Sequence, residues 1–269
     1  MPEGHTLYRL ARDQSLAFAG RPVHVTSPQG RFAAGAALLD GRVLDEVTSY
    51  GKHLFACFGA DTLHVHLGLY GSYTSGTGTP PPPRGALRMR WEGEGPDGVG
   101  VWTDLRGATA CEVLPAPEVD RILARLGPDP LRPRSDGTLV HRRIAGSRTA
   151  VGALLMDQSV LAGVGNVYRA EILFRHGISP FRPGRDVDAD LWARVWADLV
   201  VLMRAGVRMG RIVTTRPEHR NRRGGAVRRE DAHYVYRRTG LPCRVCGTPV
   251  RTEVMVGRNL YWCPVCQVV

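Results

Sequence analysis

The chain has 269 residues, enough for one large domain or two ordinary ones, and 43% hydrophobic with 23% charged residues is an ordinary globular composition. No apolar run approaches the about 18 residues of a membrane span, and "MPEGHTLYRL" lacks the basic region and apolar core of a secretory signal, so neither a spanning helix nor a secretory signal is expected and a cytoplasmic protein is. A net charge of +11 and a pI of about 10.0 imply a polyanionic partner, nucleic acid first, with a solubilising surface bias as the alternative.

Residues 3–18, "EGHTLYRLARDQSLAF", predict an amphipathic helix with Leu7, Leu10, Ala11 and Phe18 on one face and Gly20 as its stop. From Pro22 to about Leu114 the pattern becomes short apolar runs broken by glycine. "RPVHVTS", "RVLDEVTSY", "HLFACFG", "TLHVHLGLYGSY", "ALRMRWEG" and "GVWTDL" predict strands of a sandwich or barrel-like sheet pair, with "SGTGTPPPPRG" as a loop. Cys57 and Cys111 fall in strand-like apolar contexts and are expected in the core. Prolines in "LPAPEVD" and "GPDPLRPRSDG" mark a change of character. From about Pro117 to Gly210, "EVDRILARL", "RTAVGALLMDQ", "GNVYRAEILFRHG" and "DADLWARVWADLVVLMRAGV" carry apolar residues at helical spacing. The arginine-rich stretch 214–231 has no periodicity and predicts a basic loop suited to phosphate. The expected organisation is α+β: a β domain over 1–116, a helical domain with the basic loop over 117–231, and a metal module over 232–269.

Four features carry chemistry. "CRVC", sixteen residues and "CPVC" give Cys243, Cys246, Cys263 and Cys266 the spacing of a zinc ribbon built from two hairpins. Four thiolates close the coordination sphere, so the one zinc ion expected there is structural. Between the pairs, "VGRNLYW" puts Arg258 at a hairpin tip, as a solvated charge or a functional finger. In "LLMDQSVLAGVGNVYRAEIL" a glycine-rich turn joins two helices, and Asn166 at the N-cap of the second would present free amides to a phosphate, or simply cap a tight turn. In "MPEG", removal of Met1 would free the secondary amine of Pro2, and attack of that amine on an aldehyde-level carbon gives a cationic iminium that favours elimination. Glu3 follows at a helix start, placed for proton transfer, although Pro-Glu is also an ordinary helix start. Finally, of 36 basic residues only Lys52, in "SYGKHLF", is lysine. Either coding bias spared one lysine by chance, or the site needs a compact ammonium where guanidinium will not serve.

Together, "MPEG", "GKHLF", "LLMDQSVLAGVGNVYRAEILF", "YRRTGLPCRVCGTPV" and "GRNLYWCPVCQ" resemble the formamidopyrimidine-DNA glycosylase and endonuclease VIII family, most nearly bacterial endonuclease VIII, over almost the whole chain. The resemblance implies a β-sandwich with a flanking helix, then a helix–two-turn–helix domain with a zinc-finger hairpin. It implies a monomeric glycosylase/AP lyase of base-excision repair, bound to duplex DNA at a flipped damaged nucleotide or abasic site. Tolerance of single-stranded or bubble DNA is left open. Pro2 carries over as nucleophile, Glu3 as acid/base, Lys52 as the lysine that binds phosphate and assists catalysis, Asn166 as a phosphate ligand, and Arg258 as the zinc-finger arginine. Two departures stand out. Thr6, after His5, replaces a family glutamate, and "TDLRGATA" has Arg106 but no following phenylalanine wedge. "HLGLYGS" instead offers Leu69 and Tyr70, resembling the gap-filling pair of endonuclease VIII, so oxidised pyrimidines are expected over oxidised purines. A damage-binding protein without catalysis and an RNA-binding module are the competing classes. Neither needs the set Pro2, Glu3 and Lys52.

Overall fold

The structure, a computed structural model, describes residues 2–222 and 224–268. Met1, whose removal the amine chemistry requires, Arg223 and Val269 lie outside the described residues. The chain forms two compact units, Met1–Arg125 and Leu126–Val269.

The first unit opens with α1 (Gly4–Phe18), whose Leu7, Ala11 and Phe18 are buried as the spacing predicts. Then come β1 (Pro22–Thr26), α2 (Ala33–Leu39), β2 (Arg42–Val43), β3 (Glu46–Tyr50), β4 (His53–Phe58), β5 (Asp61–His66), β6 (Ser72–Thr77), β7 (Leu87–Glu94), β8 (Gly100–Arg106), β9 (Ala110–Pro115) and α3 (Ala116–Ala124). They make a five-stranded sheet in the order β2-β1-β7-β8-β6 and a four-stranded sheet in the order β3-β4-β5-β9, with all pairings antiparallel. Alternation sends Leu54, Ala56, Phe58, Leu63 and Val65 of one sheet and Val23, Val25, Met89 and Trp91 of the other into a common core. Trp91 anchors it, with Phe18 and Phe58 edge-on at 5.7 and 5.9 Å.

Three details differ from the sequence reading. α2 interrupts the strands with only seven residues of "AAGAALL", too short for helical periodicity to register. "TLHVHLGLYGSY" is two strands separated by a turn at 67–71. Cys57 and Cys111 are half-buried; Cys111 packs against the core, whereas Cys57 lies beside Phe55 on the opposite face of β4.

The second unit contains α4 (Gly137–Ala145), α5 (Val151–Leu154), α6 (Asn166–Arg175), α7 (Ala189–Met209), and the hairpin of β10 (Arg251–Met255) with β11 (Arg258–Trp262). α4 was hidden behind the proline-rich connector, yet it has its own N-cap: Asp136 Oδ1 accepts from Thr138 N at 2.8 Å. α5 is one turn, much shorter than "RTAVGALLMDQ" suggests, because the chain turns at Met156 into the two-turn segment. Gln158 organises that segment, accepting from Gly163 N (3.0 Å) and donating to Val164 O (2.9 Å). Among the described residues, no helix is long and apolar enough to cross a membrane.

Candidate functional site

In the first unit the packing of α1 decides where the N-terminal residues lie. Gly20 N donates to Leu44 O (2.7 Å), Leu44 N to Arg21 O (3.0 Å), and Val47 N to Ser15 Oγ (3.3 Å). The helix therefore runs antiparallel to β3. A rise of about 1.5 Å per helical residue puts Glu3 about 18 Å from Ser15, and about 3.3 Å per strand residue puts Lys52 about 17 Å from Val47. The start of α1 thus comes level with the Gly51–Lys52 turn. That turn has two residues closed by the Tyr50/His53 pair, and its first position needs glycine, since Gly51 has φ of +57°.

Pro2 is half-buried and Glu3 is fully buried at the N-cap of α1, where its backbone oxygen accepts from Thr6 N at 2.8 Å. The positive end of the helix dipole favours a carboxylate there. Behind it sits His5, buried and pulled down to about 4 by desolvation, with Thr6 Oγ1 3.3 Å from its Nε2. Positions 5 and 6 therefore supply a neutral imidazole and a hydroxyl, not a second carboxylate.

The same end of the four-stranded sheet carries the other first-unit candidates. β4 starts at His53 opposite His66, the last residue of β5, and Thr109 N donates to His66 O (2.8 Å). Leu69 and Tyr70 occupy the turn just beyond His66, closed by Gly71 N donating to Leu67 O (2.9 Å). They are 42% and 87% exposed, which rules out ordinary strand packing for Leu69. A Cβ at Gly107 would stand 3.1 Å from Tyr70 O, so the end of β8 abuts this turn. Arg106 is held there by Asp104 Oδ2 (2.9 Å) and Thr74 Oγ1 (3.3 Å). Pro2, Glu3, Lys52, Leu69, Tyr70 and Arg106 share one rim.

In the second unit the N-cap of α6 is Gly165; Asn166 is the first helical residue and is buried, a one-residue correction to its expected place. Its Nδ2 donates to Asn259 O at 2.9 Å, and its Oδ1 accepts from Arg169. Arg169, fully buried, also reaches Met255 O and Asn259 O, both at 3.4 Å. The N-terminus of α6 is thereby stitched to the β10–β11 turn, with half-buried Arg258 beside it. Periodicity gave no sign of Arg169 or of buried Glu171. Their partners lie about 40 to 90 residues away in sequence.

The zinc ligands also converge. The sulfur atoms of Cys243, Cys246, Cys263 and Cys266 lie within 4.8 Å of one another, with Cys243–Cys266 at 3.8 Å and Cys246–Cys263 at 3.4 Å. Four thiolates about 2.3 Å from a tetrahedral zinc would be about 3.8 Å apart, so the cluster fits the ion. The module differs from two equal hairpins: Cys263 and Cys266 follow β11, whereas Cys243 and Cys246 sit in a tight knuckle closed by Cys243 N donating to Thr248 O (2.8 Å). Hydrogen bonds from Thr248 bring the Cys246 thiol down to about 6, toward the thiolate a metal needs.

Family models cover most of the chain: the formamidopyrimidine-DNA glycosylase N-terminal domain matches residues 1–111, the formamidopyrimidine-DNA glycosylase H2TH domain 126–218, and the zinc finger found in FPG and IleRS 240–268. The chain belongs to the formamidopyrimidine-DNA glycosylase family. It is 52% identical over 272 residues to endonuclease 8 1 of Mycobacterium tuberculosis, covering 99% of this chain and 100% of that one. It is 33% identical over 273 residues to the formamidopyrimidine-DNA glycosylase of Thermus thermophilus, covering 99% and 97%. The crystal structure of the Thermus thermophilus MutM (Fpg) protein superposes with a TM-score of 0.71 at 29% identity, over 99% and 98% of the two chains. The fold is shared too by Lactococcus lactis formamidopyrimidine-DNA glycosylase non-covalently bound to DNA containing an abasic site (TM-score 0.78, 19% identity, 98% and 99% covered). This family member is a DNA repair glycosylase and AP lyase with one structural zinc ion.

Proposed function

We propose that the enzyme removes oxidised pyrimidines from DNA through an iminium on Pro2 and then cuts the strand by β and δ elimination. The neutral Pro2 amine attacks C1′ of the flipped nucleotide and the base leaves; the amine gives up its proton, O4′ takes one, and the C1′–O4′ bond breaks to open the sugar as the iminium. The cationic iminium acidifies the C2′ hydrogen, whose loss expels the 3′ phosphate; a second elimination expels the 5′ phosphate. Glu3 moves the protons. Its burial at the start of α1 removes competing water while the helix dipole offsets the cost to its charge. Lys52 places an ammonium against the phosphate near the lesion, where its three rotatable donors can follow an anion through both eliminations. Asn166, bonded to β11 at Asn259 O, and Arg258 on that strand serve neighbouring phosphates.

The observation that carries this reading is the shared rim: Pro2, a buried carboxylate and the lone lysine beside an exposed leucine–tyrosine turn. A side chain standing free at that turn can fill the gap a flipped base leaves. The lesion class follows from Leu69 and Tyr70 and from Gly107 standing where a wedge phenylalanine would follow Arg106. Single-turnover excision from matched duplexes tests it. Thymine glycol should be released faster than 8-oxoguanine; the reverse order assigns the enzyme to purines. Lys52→Arg should slow the reaction, and a wild-type rate would return the lone lysine to coding bias.

A further inference from the structure

The outer face of the four-stranded sheet carries a polar chain that the reaction above does not use. Cross-strand pairing sets His53 beside His66, Phe55 beside His64, and His64 beside Glu112. Alternation turns their neighbours Leu54, Leu63 and Val65 into the core and leaves these residues on the opposite face. His64 is buried, at 4% exposure. Its Nδ1 lies 2.9 Å from Glu112 Oε1 and its Nε2 lies 2.9 Å from His53 Nδ1. The His53 ring stacks on His64 (5.1 Å, 19°) and leans on His66 (4.9 Å).

The chemistry of these groups gives the chain a direction. A carboxylate only accepts, so the hydrogen between Glu112 and His64 belongs to His64 Nδ1. With the hydrogen of His64 assigned to Nδ1, its Nε2 is the acceptor and His53 donates to it from Nδ1. The Nε2 of His53 is left as its lone-pair edge. His53 directly follows Lys52 and closes the turn that carries it. Burial first, then repulsion from the protonated forms of His66 and His64 and from Arg125 and Lys52, pulls His53 down to about 3. Burial, with His64 and Lys52, lowers His66 as well. Lys52 therefore stands within electrostatic reach of two imidazoles that stay uncharged at neutral pH.

We propose that Glu112, His64 and His53 form a positioning relay for Lys52. A ring fixed from two strands away sets one side of the two-residue turn that carries the ammonium. Glu112 and His64 act through Lys52 and touch no substrate. The proposal rests on the reading of Lys52 as a residue that contacts DNA during the reaction.

Glu112→Leu breaks the relay at its exposed end, where the side chain is 51% accessible and the core is untouched. In histidine-ring nitrogen NMR spectra of the zinc-loaded full chain, this variant should shift the His53 signals, although Glu112 bonds His64 and not His53; unmoved His53 signals overturn the relay. In single-turnover cleavage of abasic-site DNA, run well below the unfolding midpoint of either protein, E112L should be slower by about ten- to a hundredfold with zinc content unchanged; loss of the His64 hydrogen bond lowers the midpoint by only a few degrees. Glu112→Asp should recover most of the rate. Because the effect runs through the lysine, E112L should add nothing to Lys52→Ala. A wild-type rate in E112L, or additive losses in the double variant, overturns the proposal. A wild-type rate in Lys52→Ala sinks the lysine reading itself, a separate outcome.

Discussion

Glu171 is the most consequential buried charge-bearing side chain in the second unit, and replacing it with glutamine isolates its role. Its carboxylate accepts from three consecutive backbone amides, Tyr234 N (2.7 Å), Val235 N (2.8 Å) and Tyr236 N (2.8 Å), and from the Thr214 hydroxyl. Four donors converge on one anion, fixing α6 to the segment that leads into Cys243. Glu171→Gln keeps the shape but turns one oxygen into a donor. Facing Oε2's partners, the new amide orphans Tyr234 N; facing Oε1's, it orphans Val235 N and Tyr236 N. A buried unsatisfied amide costs about 1–3 kcal/mol and the remaining bonds lose their charge assistance, so about 2–4 kcal/mol is expected. For a unit of this size that lowers the thermal midpoint by roughly 10 °C. Calorimetry of zinc-loaded wild type and E171Q at equal concentration is the assay. A fall of less than about 2 °C would refute the account, because it would mean that the amides find other partners at no cost.

Other outcomes follow from the same reasoning. Burial alone would raise Asp198, but hydrogen bonds and charge from His176 and Arg175 more than offset it and hold the carboxyl at about 2. A depressed acid stabilises the fold above its unfolded value near 4 and loses that contribution as the pH falls toward 2; the shift corresponds to about 2 kcal/mol. Denaturant titrations should therefore show Asp198→Asn less stable than wild type at pH 7, with the gap closing toward pH 2; a constant gap contradicts the assignment. Arg169→Met releases the β10–β11 turn from α6, and titration with a duplex containing a stable abasic analogue should show affinity about tenfold weaker, the effect of about 1.4 kcal/mol of lost preorganisation. Removal of zinc with a chelator should free the zinc finger over Cys243–Cys266, abolish binding to the same duplex and be reversed by added zinc; binding that survives zinc loss would separate the finger from DNA recognition.

What the sequence made legible was what is local. The spacing of Leu7, Ala11 and Phe18 is enough to face α1 inward, and two C-x-x-C pairs are enough to specify a metal. Alternation in "HLFACFG" and "TLHVHLG" is visible without a structure. The misses share a cause. Arg169 and Glu171 lie in a ten-residue helix buried through Phe174, and a helix buried on every side shows no polar face to read. Their partners at Thr214, Tyr234 and Asn259 are brought in by tertiary folding. The His53–His64–Glu112 chain was hidden for the same reason, since its members come from three strands and their adjacency depends on register. Short α2 and the isolated α4 offered too few turns for a helical period to stand out.

The central claim is covalent catalysis by Pro2. The direct measurement is borohydride trapping, with protein whose N-terminus has been confirmed by mass spectrometry to be Pro2, on matched duplexes carrying an abasic site, thymine glycol or 8-oxoguanine. A stable protein–DNA adduct, mapped to residue 2, lost when Met1 is retained or Pro2 is replaced, and forming faster with thymine glycol than with 8-oxoguanine, is the predicted result. No adduct with any of the three duplexes, from zinc-loaded protein beginning at Pro2, would contradict the iminium mechanism.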